Sequence, residues 1–121
     1  MKKAIYPGTF DPITFGHIDL IKKSLNIFDK VIVAVSDGNT KNYLFNAEER
    51  EYLIKKALFS DLKFSKKKRV VTSFKTLTTD FCRKMKSNVI IRGLRSTSDF
   101  EYEFQLAGMN KKLNKLVETV F

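Results

Sequence analysis

The sequence predicts an α/β fold: a doubly wound parallel sheet of five strands. Strand-like and helix-like segments alternate five times, the pattern of a parallel sheet joined by right-handed crossovers. Val31-Ile32-Val33-Ala34-Val35 is an unbroken apolar run rich in β-branched residues, as a central strand buried on both faces requires. The two most chemically loaded loops leave the first and fourth strands. With the strands in the order 3-2-1-4-5, those loops meet at the point where the order reverses, which is where such sheets bind ligands.

Each element has its own signal. Residues 4–6 open as a short buried strand. The loop Tyr6-Pro7-Gly8-Thr9-Phe10-Asp11-Pro12-Ile13-Thr14-Phe15-Gly16-His17 follows and holds both prolines, two of the five glycines and the only histidine. Proline fixes φ and glycine admits close approach, so this loop has a set shape. From Thr14, a plausible N-cap, Ile18, Ile21, Leu25 and Phe28 give a helix with one apolar face. After the Val31–Val35 strand, Asp37-Gly38-Asn39 marks a turn. Asn46 with Glu49 three residues on is a variant capping box, starting a helix that carries Leu53, Ile54, Ala57 and Leu58 inward. Lys63-Phe64-Ser65-Lys66-Lys67-Lys68-Arg69 puts five positive charges in seven residues and reads as a solvated connection. Val70, Val71 and Phe74 make the third strand, a helix runs near Leu77–Met85, and Val89-Ile90-Ile91 is the fourth strand. Ser98-Asp99-Phe100-Glu101 is a strict capping box whose helix passes through Phe104, Leu106, Ala107 and Met109 towards Leu113. Val117–Phe121 has strand composition.

Residues 1–121 read as a single domain with no repeat or linker. No apolar run reaches the ~18 residues of a membrane span. Pro7 interrupts the N-terminus too early for a signal peptide. One cysteine, Cys82, allows no internal disulfide and fits a reducing cytoplasm; among Phe81 and Met85 it reads as a small packed residue. The formal net charge of +10 suits a polyanionic partner, nucleic acid or a phosphorylated small molecule, but lysine is spread along the whole chain. Charge alone does not choose.

The loops do more. Thr9 offers a hydroxyl and a backbone N–H, and His17 sits in a first helical turn, whose positive end attracts phosphate and favours a neutral imidazole. Arg92 and Arg95 add two guanidinium forks suited to phosphate. Phosphate-cradling glycine loops, a cysteine–histidine metal cluster and a nucleophile backed by a base are not found.

Tyr6–Pro12 with Thr14-x-Gly16-His17 resembles the signature of nucleotidylyltransferases carrying a (His/Thr)-x-Gly-His motif. Arg92-Gly93-Leu94-Arg95, Asp99–Glu103 and Met109-Asn110 resemble the second signature of the bacterial phosphopantetheine adenylyltransferase family, and the similarity runs over essentially the whole chain. The resemblance implies a Rossmann-like domain that transfers AMP from ATP to 4′-phosphopantetheine with Mg²⁺, giving dephospho-coenzyme A and pyrophosphate, in a cytoplasmic homohexamer. It implies that His17 stabilises the transition state and that Thr9, Lys41, Thr78 and Arg92 bind the acceptor substrate. Thr9, Phe10, His17, Gly93, Leu94, Arg95 and Glu103 would bind ATP. Neither nucleic acid nor membrane is an implied partner. Family chains run several dozen residues past the fifth strand, with an Ile-Ser-Ser-Ser-x-x-Arg-like segment, so these 121 residues read as C-terminally truncated relative to the family. Two alternatives stay open. One is a related nucleotidylyltransferase with another phosphate acceptor or CTP; the other is a basic module that binds nucleotide or nucleic acid without turnover.

Overall fold

The computed structural model describes residues 2–38, 42–94 and 97–121, the side chains of Thr97 and Ser98 apart. In chain order the elements are β1 (Lys3–Gly8), α1 (Phe15–Ser24), β2 (Lys30–Ser36), α2 (Ala47–Lys55), β3 (Arg69–Phe74), α3 (Thr78–Met85), β4 (Val89–Ile91), α4 (Thr97–Leu113) and β5 (Glu118–Val120). The sheet is parallel throughout, in the order β3-β2-β1-β4-β5. Tyr6 lies opposite Val33, Val33 opposite Val71, and Ile5 opposite Ile90.

β2 can lie inside the sheet, between β3 and β1, because Val31 to Val35 are all buried. Burying a Val or Ile side chain stabilises by about 1.5–3 kcal/mol, so this strand anchors both faces. Its odd-numbered residues join Ala4, Tyr6 and Phe10 under Ile18 and Ile21 of α1 and Ile54 of α2. Its even-numbered residues join Ile5, Ile90 and Val117 under Phe81 and Cys82 of α3. Phe74 and Phe81 stack on that second face, 4.8 Å between centroids.

The helix starts follow their sequence signals, with one correction. The Thr14 hydroxyl accepts the His17 N–H, and the Asn46 side chain accepts the Glu49 N–H while Glu49 accepts in return. α4, however, begins at Thr97, so Ser98 lies inside its first turn and is not the residue before it. α1 ends at Ser24, leaving Leu25 and Phe28 to pack from the connection that follows. α2 widens into a π-helical turn over Lys56–Asp61, which seats Leu58 in the core. On α4, Phe104, Met109 and Leu113 are exposed; Glu103, Leu106, Ala107 and Asn110 form the inward side.

Candidate functional site

The loops after β1 and β4 meet at the switch point between those neighbouring strands. Arg92, the first residue after β4, donates from Nη1 to the Pro7 carbonyl at 2.6 Å. Its Nε and Nη2 both donate to the Glu103 carboxylate at 2.7 Å, a bidentate pair across to α4. Hydrogen bonding to Glu103 holds the Arg92 pKa above its ordinary value, against the opposing effect of burial. Three of the five guanidinium N–H groups are therefore committed, and one on each terminal nitrogen has no partner among the described residues. Glu103 is buried with both oxygens engaged by Arg92.

The β1 loop owes its shape to packing on Phe10. The Phe10 backbone is left-handed, φ 49°, and its ring is buried edge-on to Tyr6 and His17, with centroids 5.2 Å and 4.9 Å away. A Cβ on Gly8 would stand 3.0 Å from that ring, a tight approach that favours glycine at the strand end. Asp11, before a cis Asp11–Pro12 bond, accepts the N–H groups of Leu44 and Phe45 and so ties the loop to the approach of α2.

His17 closes the α1 cap. Its Nδ1 accepts the Thr14 backbone N–H at 2.9 Å. An amide can only donate, so Nδ1 carries no proton and the ring hydrogen is on Nε2. No acidic residue stands in the first turn of α1 to offset its positive end. The ring therefore presents Nε2–H as its donor, half-buried beside the positive end of α1.

A cleft of ≈ 170 Å³ opens between the ends of β1 and β4 and the inward side of α4. Thr9, Thr78, Arg92 and Glu103 line it, with Ser36, Tyr102 and Asn110 as further polar groups and Phe74, Ile90 and Leu106 as apolar wall. Thr78 is the first residue of α3, which starts without a side-chain cap and so keeps its first amides available to a ligand. Thr119 also faces the cleft, its buried hydroxyl without a hydrogen-bond partner among the described residues.

The structure brings Thr9, Thr78, Arg92 and Glu103 to one cleft, while His17, Gly93 and Leu94 lie outside its lining. Gly93 sits against α1, where a Cβ would meet the Leu20 side chain at 3.3 Å, one turn beyond His17. Lys41 and Arg95 lie outside the described residues. Cys82 is buried in the core on α3, and burial pushes its thiol up to about 11. Among the described residues no group of three or more histidine, cysteine or acidic side chains is placed to hold a metal. Sequence reasoning named Glu103 but missed the rest of the α4 wall, and it missed Arg50. Tyr102, Leu106 and Asn110 are spaced by four along one side of α4, but apolar residues on its other side hide that face from periodicity.

Comparison with known proteins identifies the family. The cytidylyltransferase-like family model matches residues 5–121. The phosphopantetheine adenylyltransferase of Pelagibacter ubique (strain HTCC1062) is 72% identical over 122 residues, which cover 100% of this chain and 74% of that one. The chain belongs to the phosphopantetheine adenylyltransferase family. The enzyme of that name from Geotalea daltonii is 50% identical, with 100% of this chain and 72% of that one aligned. Among solved structures, a lipopolysaccharide core biosynthesis protein from Thermoplasma volcanium superposes with a TM-score of 0.68 at 23% identity, over 99% of this chain and 94% of that one. A bifunctional NMN adenylyltransferase/ADP ribose pyrophosphatase from Francisella tularensis gives 0.71 at 18% identity, over 98% of this chain and 36% of that one. At such identities these two establish the fold alone.

Proposed function

We propose that the chain transfers AMP from ATP to 4′-phosphopantetheine, forming dephospho-coenzyme A and releasing pyrophosphate. One observation carries this reading. Thr9, Thr78 and Arg92 surround a single cleft at the switch point, in a chain 72% identical over its whole length to a protein named for this reaction. The acceptor's phosphate meets the two remaining Arg92 N–H groups and the Thr9 hydroxyl. Its pantetheine arm lies along the α4 wall near Thr78, where apolar surface alternates with hydroxyl and amide groups. ATP lies on the α1 side, against Phe10, His17, Gly93 and Leu94, with Lys41 and Arg95 supplying cations to the phosphates. Glu103 acts by holding Arg92.

The chemistry needs few groups. A phosphate monoester is already anionic near neutral pH, so its attacking oxygen requires no general base. The protein aligns that oxygen with the α-phosphorus and the departing pyrophosphate, and offsets charge on the oxygens between them. The His17 Nε2–H donates to an α-phosphate oxygen as charge builds there. Mg²⁺ would be carried by the nucleotide and would offset charge on its phosphates; the carboxylates of Asp11 and Glu103 are engaged by N–H donors. We place the reaction in the cytoplasm and in a homohexamer, following the family resemblance, without nucleic acid or membrane; no helix among the described residues is long and apolar enough to cross a membrane.

Pyrophosphate release from ATP, measured with 4′-phosphopantetheine, nicotinamide mononucleotide or glycerol phosphate as acceptor, tests this. Turnover with 4′-phosphopantetheine is expected. Preference for either other acceptor would overturn the assignment.

A further inference from the structure

Arg50 is a wholly buried cation that the adenylyl-transfer scheme leaves without a task. It stands in the first turns of α2 at 0% exposure. Its Nη1 donates to the carbonyls of Thr9 and Ser36, both at 2.9 Å, and its Nε donates to the Phe45 carbonyl at 3.0 Å. The guanidinium lies 3.9 Å over the Tyr43 ring. Its Nη2 comes only to 3.6 Å from Asp37 and has no hydrogen-bond partner among the described residues. This is not an ordinary buried ion pair. Backbone oxygens hold the charge, and they belong to three segments: the loop after β1, the end of β2 and the approach to α2.

Two of those oxygens are where the site is built. A trans peptide is planar, with its carbonyl and N–H pointing opposite ways. By taking the Thr9 carbonyl, Arg50 fixes the Thr9–Phe10 plane and with it the direction of the Phe10 N–H. By taking the Ser36 carbonyl, it fixes the exit of β2, from which the chain goes on to Lys41. A lysine could keep the charge, but its single ammonium has neither the flat face that lies on Tyr43 nor the rigid fork that spans three carbonyls.

We propose that Arg50 is a positioning residue for adenylyl transfer, setting the Thr9–Phe10 peptide and the end of β2 in their reactive arrangement before substrates arrive. The proposal rests on the adenylyl-transfer reading. Its test compares wild type with Arg50→Lys in steady-state kinetics well below the variant's melting temperature, with circular dichroism to count folded molecules. Because small misplacements at a reacting centre cost up to about 100-fold, kcat per folded molecule is expected to fall roughly 10- to 100-fold. KM for ATP should rise by a smaller factor than kcat falls. A merely structural Arg50 would lower Tm and leave kcat per folded molecule unchanged, and that result would overturn the proposal. Should Arg50→Lys not fold, Tyr43→Leu decides, since it keeps Arg50 and removes the ring beneath it. A several-fold lower kcat at constant KM supports the role, whereas unchanged kcat overturns it. A wild type that makes no dephospho-coenzyme A would overturn the adenylyl-transfer reading, and this inference with it. An active wild type with an equally active Arg50→Lys overturns this inference alone.

Discussion

His17 has two jobs on one ring, and they can be separated. Nδ1 accepts the Thr14 N–H, which fixes the tautomer; Nε2 carries the hydrogen that our scheme aims at the α-phosphate. Removing one preorganised donor to a developing oxyanion typically costs about 100- to 1,000-fold in kcat, so His17→Ala is expected to fall in that range. KM for ATP should change little, and equal losses in kcat and ATP binding would remove the transition-state role. Thr14→Ala tests the other nitrogen's support. It deletes the N-cap hydroxyl, at about 1 kcal/mol of stability, but keeps the amide that holds Nδ1, so its kcat should fall far less than that of His17→Ala. Cys82 gives a residue-scale prediction about pH. Its folded thiol is pushed up to about 11 by burial, while an unfolded thiol ionises near its ordinary ~8.5. Unfolding therefore releases a proton above that ordinary value. The stabilisation is full below it and is lost as pH rises towards 11. Tm should decline over this window in wild type and decline less in Cys82→Ala. Native Cys82 should also resist alkylation near pH 8 until the chain unfolds.

Among the elements, the join between the β1 loop and α2 carries the most risk. The Asp11 carboxylate accepts two backbone N–H groups from Leu44 and Phe45, just ahead of the Asn46 cap. Hydrogen bonds to a charged acceptor are worth about 1.5–3 kcal/mol when buried and less at a partly exposed site such as this. Asp11→Ala should therefore cost about 1–2 kcal/mol, read as a drop in Tm of several degrees, together with reduced kcat. Asp11→Asn, which keeps one acceptor oxygen, should fall between it and wild type. The same join shows what could be read from sequence and what could not. Asn46 with Glu49, Thr14 before α1, and the Val31–Val35 run are local signals, and each produced its element in place. Arg50 is invisible to such signals, because a cation following two glutamates in a polar first turn looks like surface. Only its spacing of four from Ile54 and eight from Leu58 puts it on the buried face. α4 misleads for the opposite reason. Apolar residues occur on both of its faces, so periodicity could not say that Asn110 faces the cleft while Phe104 faces out. The two loops of the site were legible because strand order brings them together. The bond from Arg92 to the Pro7 carbonyl, and its pair with Glu103, depend on distances that no sequence motif contains.

At the scale of the molecule, the outer side of α4 carries large exposed apolar side chains. Phe104 is 63% exposed and Met109 58%, and Leu116, in the connection from α4 to β5, is 70% exposed. The Phe100 ring sits 5.8 Å from that of Phe104 and 6.0 Å from that of Phe121, so this apolar surface continues from α4 to the end of β5. Contiguous apolar surface of this kind marks an interaction face, and closed symmetric assemblies are the commonest way for copies of one chain to cover it. The cleft uses the other side of the same helix, through Glu103, Leu106 and Asn110. Association on the outer face would therefore brace the wall that holds Arg92 without blocking the cleft. Light scattering coupled to size exclusion should accordingly give a mass several times that of one chain. Phe104→Glu, which sets a carboxylate in the middle of the apolar surface, should shift the population towards single chains and raise KM for 4′-phosphopantetheine as α4 loses its support. A wild type that elutes as a single chain at all concentrations would show that α4 needs no such cover. A dissociated Phe104→Glu with unchanged KM would show that the cleft keeps its shape on the sheet alone.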